Sequence, residues 1–108
     1  MNENIKTLIK NEIDNNDVCL FMKGTPAVPQ CGFSMAISNI LKHLKITFKG
    51  INVLENGEIR EGIKEYSDWP TIPQLYLKGE FVGGCDIVKE MYKSGELQEK
   101  LSEKNILN

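Results

Sequence analysis

Among side chains able to act as nucleophiles or soft metal ligands, this sequence carries three cysteines, Cys19, Cys31 and Cys85, and one histidine, His43. No cysteine belongs to a Cys-x-x-Cys pair, and an odd number cannot all pair internally. Their surroundings separate them. Cys31 follows a loop rich in proline and glycine, Gly24-Thr25-Pro26-Ala27-Val28-Pro29-Gln30, and stands where a helical pattern begins. A thiol at a helix N-terminus faces unpaired backbone N–H groups and the positive end of the helix dipole, and both favour the thiolate. Lys23, at the end of the preceding strand, adds a positive charge. Cys31 is therefore read as the reactive sulfur rather than as a small buried apolar residue. Cys19 lies inside the apolar run Val18-Cys19-Leu20-Phe21-Met22 and is read as inert core. His43, between Lys42 and Leu44, is far from paired thiols, so a tetrahedral zinc site is poorly supplied. It is read as solvated helix surface, and Met35 and Met91 as packing residues rather than metal ligands.

Two further motifs could recognise a ligand. In Trp69-Pro70-Thr71-Ile72-Pro73-Gln74 the prolines push Trp69 and Ile72 into extended geometry. A cis bond before Pro73 would leave the Ile72 N–H and C=O free for a bound peptide, whereas a trans turn would simply start the next strand; spacing leaves both open. In Gly83-Gly84-Cys85-Asp86 the glycines allow close backbone approach, and the N–H groups of residues 85 and 86 suit a carboxylate. Asp86 is equally explained as an ordinary N-cap. Lys appears twelve times and Arg once, at Arg60; the lone arginine reads either as a place where a planar fork is wanted or as chance. Lys23 and Arg60 supply cations, the Cys85–Asp86 turn supplies donors and one anion, and Ile72 supplies a peptide-like edge. A small peptide with two carboxylates, an ammonium and a thiol matches that set, and glutathione is such a molecule.

These residues need a scaffold that brings them to one crevice. Ile5, Leu8, Ile9 and Ile13 mark a first helix, and Val18–Met22 reads as a strand buried on both faces. Phe33, Ile37, Ile40, Leu41 and Leu44 mark one face of a second helix, followed by a strand from Phe48 to Val53. Ile59, Ile63 and Tyr66 suggest a short third helix. Leu75-Tyr76-Leu77 and Phe81-Val82 flank Lys78-Gly79-Glu80, a hairpin signal. Ile87, Val88, Met91 and Tyr92 form a helix that Leu97 and Leu101 extend. The order α, βαβ, α, ββ, α predicts an α/β sheet of about four strands with helices on both faces, its crevice at the strand carboxyl ends.

Composition sets the outer limits. One hundred and eight residues suit a single domain, 1–108, and 41% hydrophobic with 26% charged residues is an ordinary globular balance. The longest apolar run is far short of the roughly 20 residues of a membrane span. A net charge of −2 argues against a nucleic-acid scaffold. The opening residues Met1-Asn2-Glu3-Asn4 resemble no targeting leader, so a reducing, cytoplasmic setting is expected.

Cys31-Gly32-Phe33-Ser34, together with the Trp69–Gln74 and Gly83–Asp86 motifs in that order and spacing, resembles the monothiol glutaredoxins of the CGFS class, single-domain type. The resemblance runs from about Met22 to Leu97. It implies a thioredoxin-like fold, a cis Pro73, glutathione held by Lys23, Arg60, Ile72, Cys85 and Asp86, and Cys31 as the reactive and cluster-binding thiol.

Ser34 stands where dithiol relatives carry a second cysteine. A hydroxyl cannot resolve a mixed disulfide, so turnover would need a second glutathione or Cys85, and at most a weak glutathione-dependent oxidoreductase is expected. A [2Fe–2S] cluster wants four thiolate-like ligands. One chain offers Cys31 plus the sulfur of its glutathione, so two chains and two glutathiones complete the set. The expected holo form is a cluster-bridged homodimer. The resemblance implies the same, with transfer to apo iron–sulfur proteins and a BolA-like partner able to replace one chain.

Overall fold

The structure is a computed structural model describing residues 2–107. Its elements run α1 (Glu3–Asn15), β1 (Val18–Met22), α2 (Gly32–His43), β2 (Lys49–Asn52), a 3-10 turn (Val53–Glu55), α3 (Gly57–Ser67), β3 (Gln74–Leu77), β4 (Glu80–Gly83), α4 (Cys85–Ser94) and α5 (Glu96–Glu103). The four strands lie in the order β2-β1-β3-β4. β1 pairs parallel with β2 through the α2 crossover and antiparallel with β3, and β3 returns antiparallel into β4. This is the four-stranded α/β sheet expected from the order of elements, and the thioredoxin-like fold that the resemblance implied.

Strand β1 is buried along its whole length, and its pleat sorts side chains onto two faces. Val18, Leu20 and Met22 join Leu75, Leu77, Ile37, Leu41, Val88, Leu97 and Leu101 under α2, α4 and α5. Cys19 and Phe21 join Tyr76, Ile9, Ile13, Val53, Ile59 and Ile63 under α1 and α3. The two cores share one sheet, so a cavity cut on either side weakens both. Leu20→Ala should cost about 2–5 kcal/mol.

Several boundaries differ from the sequence pattern. The second strand stops at Asn52 because the Asn52 carboxamide accepts the Leu54 N–H and starts the 3-10 turn. The same oxygen accepts the Gly24 N–H at 2.9 Å, tying that turn to the loop after β1. The hairpin turn has two residues, Lys78 and Gly79, both at positive φ, as a type I′ connection requires, and Glu80 already belongs to β4. The last helix is two helices, broken at Gly95 in the left-handed conformation. Leu8, although in phase with Ile5 and Ile9, is 42% exposed. Among the described residues, no helix is long and apolar enough to cross a membrane.

Candidate functional site

The loop after β1 is held at both ends. Gln30 N–H donates to the Lys23 carbonyl at 2.9 Å, Thr25 and Val28 exchange main-chain hydrogen bonds at 3.1 Å, and Lys42 Nζ donates to the Pro26 carbonyl. This small closed loop delivers Cys31 to the N-cap position of α2, half-buried. The thiol makes no full capping hydrogen bond. Its pKa nevertheless lies below the ordinary value: burial pushes it up, but the Ser34 and Phe33 N–H groups, the Ser34 hydroxyl and the Lys23 ammonium together outweigh burial. Ser34 is fully buried, and its Oγ accepts the Lys23 N–H at 3.0 Å, which leaves its own proton for the sulfur. The serine therefore has a structural and an electrostatic task beyond the absence of a second thiol.

The other two cysteines behave differently. Cys19 is inaccessible, and burial pushes its thiol up to about 12. Cys85 is buried at the start of α4, and burial raises its pKa, with smaller influences from Lys89, Asp86 and Cys31. All three are free thiols.

A cleft of about 440 Å³ opens at this end of the sheet. Lys23, Arg60, Ile72, Cys85 and Asp86 all line it. Cys31 is not itself in the wall, but Lys23 and Phe33, which flank it electrostatically and in sequence, are. Arg60 is carried by the first turn of α3, whose N-cap Asn56 accepts the Glu58 and Ile59 N–H groups. The Ile72–Pro73 peptide is cis. Ile72 is 7% exposed, yet among the described residues no main-chain hydrogen bond of the protein occupies its N–H or C=O. Gln74, at the start of β3, donates to the carbonyls of Trp69 and Thr71 behind this loop.

The N-terminus of α4 closes the cleft. Its N-cap is Gly84, without a side-chain bond, so Asp86 is not the ordinary cap that spacing allowed, and its exposed carboxylate faces the cleft uncommitted to the helix. Gly84 sits in close approach, since a Cβ there would stand 3.3 Å from the Pro73 carbonyl oxygen and 3.4 Å from Trp69 Nε1, so a larger residue would press on that loop.

Apolar periodicity misassigned two wall residues. Phe33, in the first turn of α2, is 61% exposed over the cleft instead of joining the α2 core face. Ile87 likewise lines the cleft, as do Trp69, Pro70, Thr71 and Lys64. Their signal was proximity to the three motifs, not period. Met35 is exposed and does not pack as expected, whereas Met91 packs partly buried against the core. His43 is exposed, with its ring edge-on to Tyr92.

A family model described as Glutaredoxin matches residues 18–82. A probable monothiol glutaredoxin 2 of Rickettsia conorii is 56% identical over 100 residues, covering 93% of this chain and 92% of the relative. A monothiol glutaredoxin ycf64-like protein of Synechocystis is 55% identical over 101 residues, covering 94% of each. The solution structure of reduced poplar apo GrxS14 superposes with a TM-score of 0.83 at 54% identity, covering 93% of this chain and 92% of that one. A buckwheat glutaredoxin–glutathione complex shares the fold at 20% identity with a TM-score of 0.85, covering 100% and 99%. A low-pKa thiol at the start of α2, a serine in place of a second cysteine, and these matches along nearly the whole chain place it in the glutaredoxin family, among the monothiol glutaredoxins.

Proposed function

We propose that this protein binds glutathione in the cleft beside Cys31 and, as two chains joined through their sulfurs, carries a [2Fe–2S] cluster as cargo for apo-proteins. The observation that carries the first half is the convergence of Lys23, Arg60, the unpaired Ile72 backbone and the α4 N-terminus on one cleft next to an activated thiol. In this reading Lys23 and Arg60 together hold one of the tripeptide's two carboxylates, and Ile72 pairs main chain to main chain with its cysteinyl residue. The Cys85 and Asp86 N–H groups hold a further carboxylate, and the Asp86 side chain holds the ammonium. The buckwheat glutaredoxin of the same fold forms a crystalline complex with glutathione.

The second half follows from ligand supply. Among the described residues, no group of three or more His, Cys, Asp or Glu side chains could hold a metal ion. Cys19 is sealed in the core, and the Cys85 thiol is held in its protonated form by burial. Cys31 has the thiolate character that an iron–sulfur core needs, and glutathione brings a second sulfur. Two chains with two glutathiones then satisfy four positions, and a BolA-like protein could replace one chain. Because half the ligands are exchangeable small molecules, the assembly suits transfer better than storage. Oxygen-free reconstitution with iron, sulfide and glutathione should give visible charge-transfer absorbance and a dimer by mass, and Cys31→Ser should abolish both. A colourless, single-chained product would overturn the reading.

The lowered Cys31 pKa also favours a second reading, glutathione-dependent thiol–disulfide exchange. The Cys31 thiolate would attack the glutathione sulfur of a glutathionylated protein, release the protein thiolate and become a Cys31–glutathione mixed disulfide. A second glutathione thiolate would then displace Cys31 and leave as oxidised glutathione. Fast turnover of a glutathionylated substrate by cluster-free monomer would put this reading first.

A further inference from the structure

The segment Trp69–Pro73 forms a wall of the cleft, packed through Ile72 and Trp69 but held by few hydrogen bonds. Pro70 and Pro73 have no N–H to donate. Trp69 N–H bonds back to the Lys64 carbonyl of α3 at 3.0 Å. Beyond that, among the described residues, the hydrogen bonds holding the segment come from one side chain. Gln74 Nε2 donates to the Trp69 carbonyl at 3.2 Å and to the Thr71 carbonyl at 3.1 Å. Gln74 is completely buried, and the Tyr76 hydroxyl donates to its Oε1 at 3.2 Å. The two carbonyls settle which way the amide faces: they can only accept, so the nitrogen must lie toward them, which leaves the oxygen for the phenol.

The geometry of a peptide plane turns this grip into an orientation. The Thr71 C=O and the Ile72 N–H belong to one peptide group, and in a trans peptide the two point in opposite directions. The Ile72–Pro73 bond is the cis one here, so the Thr71–Ile72 bond is trans. With the Thr71 carbonyl drawn back onto Gln74, the Ile72 N–H points away from Gln74, and Ile72 is a residue that lines the cleft.

From this we infer that Gln74 is a positioning residue for ligand recognition: it touches no ligand, but by holding the Thr71 carbonyl it aims the Ile72 N–H at the peptide backbone of the bound thiol. The inference rests on the reading that the cleft binds glutathione.

The test separates peptide recognition from sulfur chemistry. The Cys31 thiolate attacks a symmetrical disulfide, forms a Cys31 mixed disulfide and releases one thiolate. The equilibrium constant of this exchange is measured by mass at fixed thiol-to-disulfide ratios, once with glutathione and once with 2-mercaptoethanol, which has the sulfur but no peptide. Wild type should favour glutathione. In Gln74→Met, similar in length but without donors, that preference should fall about ten-fold, the worth of one to two hydrogen bonds, while the 2-mercaptoethanol constant stays put. Gln74→Glu has at most one proton to donate and should lose part of the preference; it serves as the deciding variant if the methionine protein does not fold. A variant that keeps the wild-type preference, or that loses both constants in parallel, overturns the assignment of Gln74. A wild type with no preference for glutathione overturns the glutathione reading itself, and this inference with it.

Discussion

At the scale of single residues, the chemistry depends on how Cys31 holds its charge. Its thiol ionises below the ordinary value of 9.0 although burial opposes this, because amide, hydroxyl and ammonium groups converge on it. The sign of the linkage follows. The folded state prefers the ionised thiol, so the contribution to stability is complete above 9.0, fades as pH falls through the folded pKa, and is absent below it. The alkylation rate of Cys31 with iodoacetamide should therefore reach half its maximum below pH 9.0, and Lys23→Ala and Ser34→Ala should each move the midpoint upward. An unmoved midpoint in both variants would contradict this account. Ser34→Ala should also cost about 1–3 kcal/mol, because it strands the Lys23 N–H without its acceptor. Arg60 poses a separate question. Arg60→Ala should weaken glutathione binding and flatten its salt dependence, since a carboxylate contact in the cleft would be lost. Equal affinity and an equal salt slope in both proteins would show that the guanidinium makes no such contact.

The elements decide whether those residues meet. Asn56 closes the N-terminus of α3, and the Arg60 N–H begins the helix ladder on the Asn56 carbonyl at 3.1 Å. Asn56→Ala should cost about 1 kcal/mol in urea unfolding, and it should loosen glutathione binding less than Arg60→Ala, because the guanidinium remains. An Asn56→Ala protein as stable as wild type would show that the cap carries no weight. Much of this framework could be read in the chain. The all-apolar Val18–Met22 suited a doubly buried strand, the Lys78-Gly79 turn announced its hairpin, and Cys31 stood at a loop-to-helix junction. What escaped the sequence was decided by tertiary geometry. Phe33 and Ile87 have core periodicity, but both sit in the first turn of a helix and are left exposed along the cleft. Ser34 and Gln74 each close a motif, but only their burial and hydrogen bonds show that each satisfies backbone groups at the site. The break at Gly95 did leave a trace, since Leu97 and Leu101 would fall on the opposite side of a continued helix from Val88.

For the molecule as a whole, the cleft is assembled from segments far apart in sequence: the end of β1, the first turns of α2, α3 and α4, and the loop before β3. A ligand bridging them binds only the folded chain, so glutathione should raise the unfolding temperature in proportion to the logarithm of its concentration once it exceeds its dissociation constant. The net charge of −2 offers no general attraction for an anionic tripeptide, which makes this gain depend on the local cations Lys23 and Arg60. The proposed cluster-bridged form adds a stricter condition. If each chain supplies one sulfur and each glutathione another, the population of the bridged form varies as the square of both concentrations at fixed cluster supply. Diluting a reconstituted sample ten-fold under nitrogen at constant glutathione should then bleach more than the optical path accounts for, and restoring the protein concentration should recover the colour. Removing glutathione by gel filtration should dissociate the dimer even at high protein concentration. Colour that survived glutathione removal in a stable dimer would mean that the remaining ligands come from the protein itself, and Cys85, close enough to Cys31 to influence its own ionisation, would be the first residue to replace.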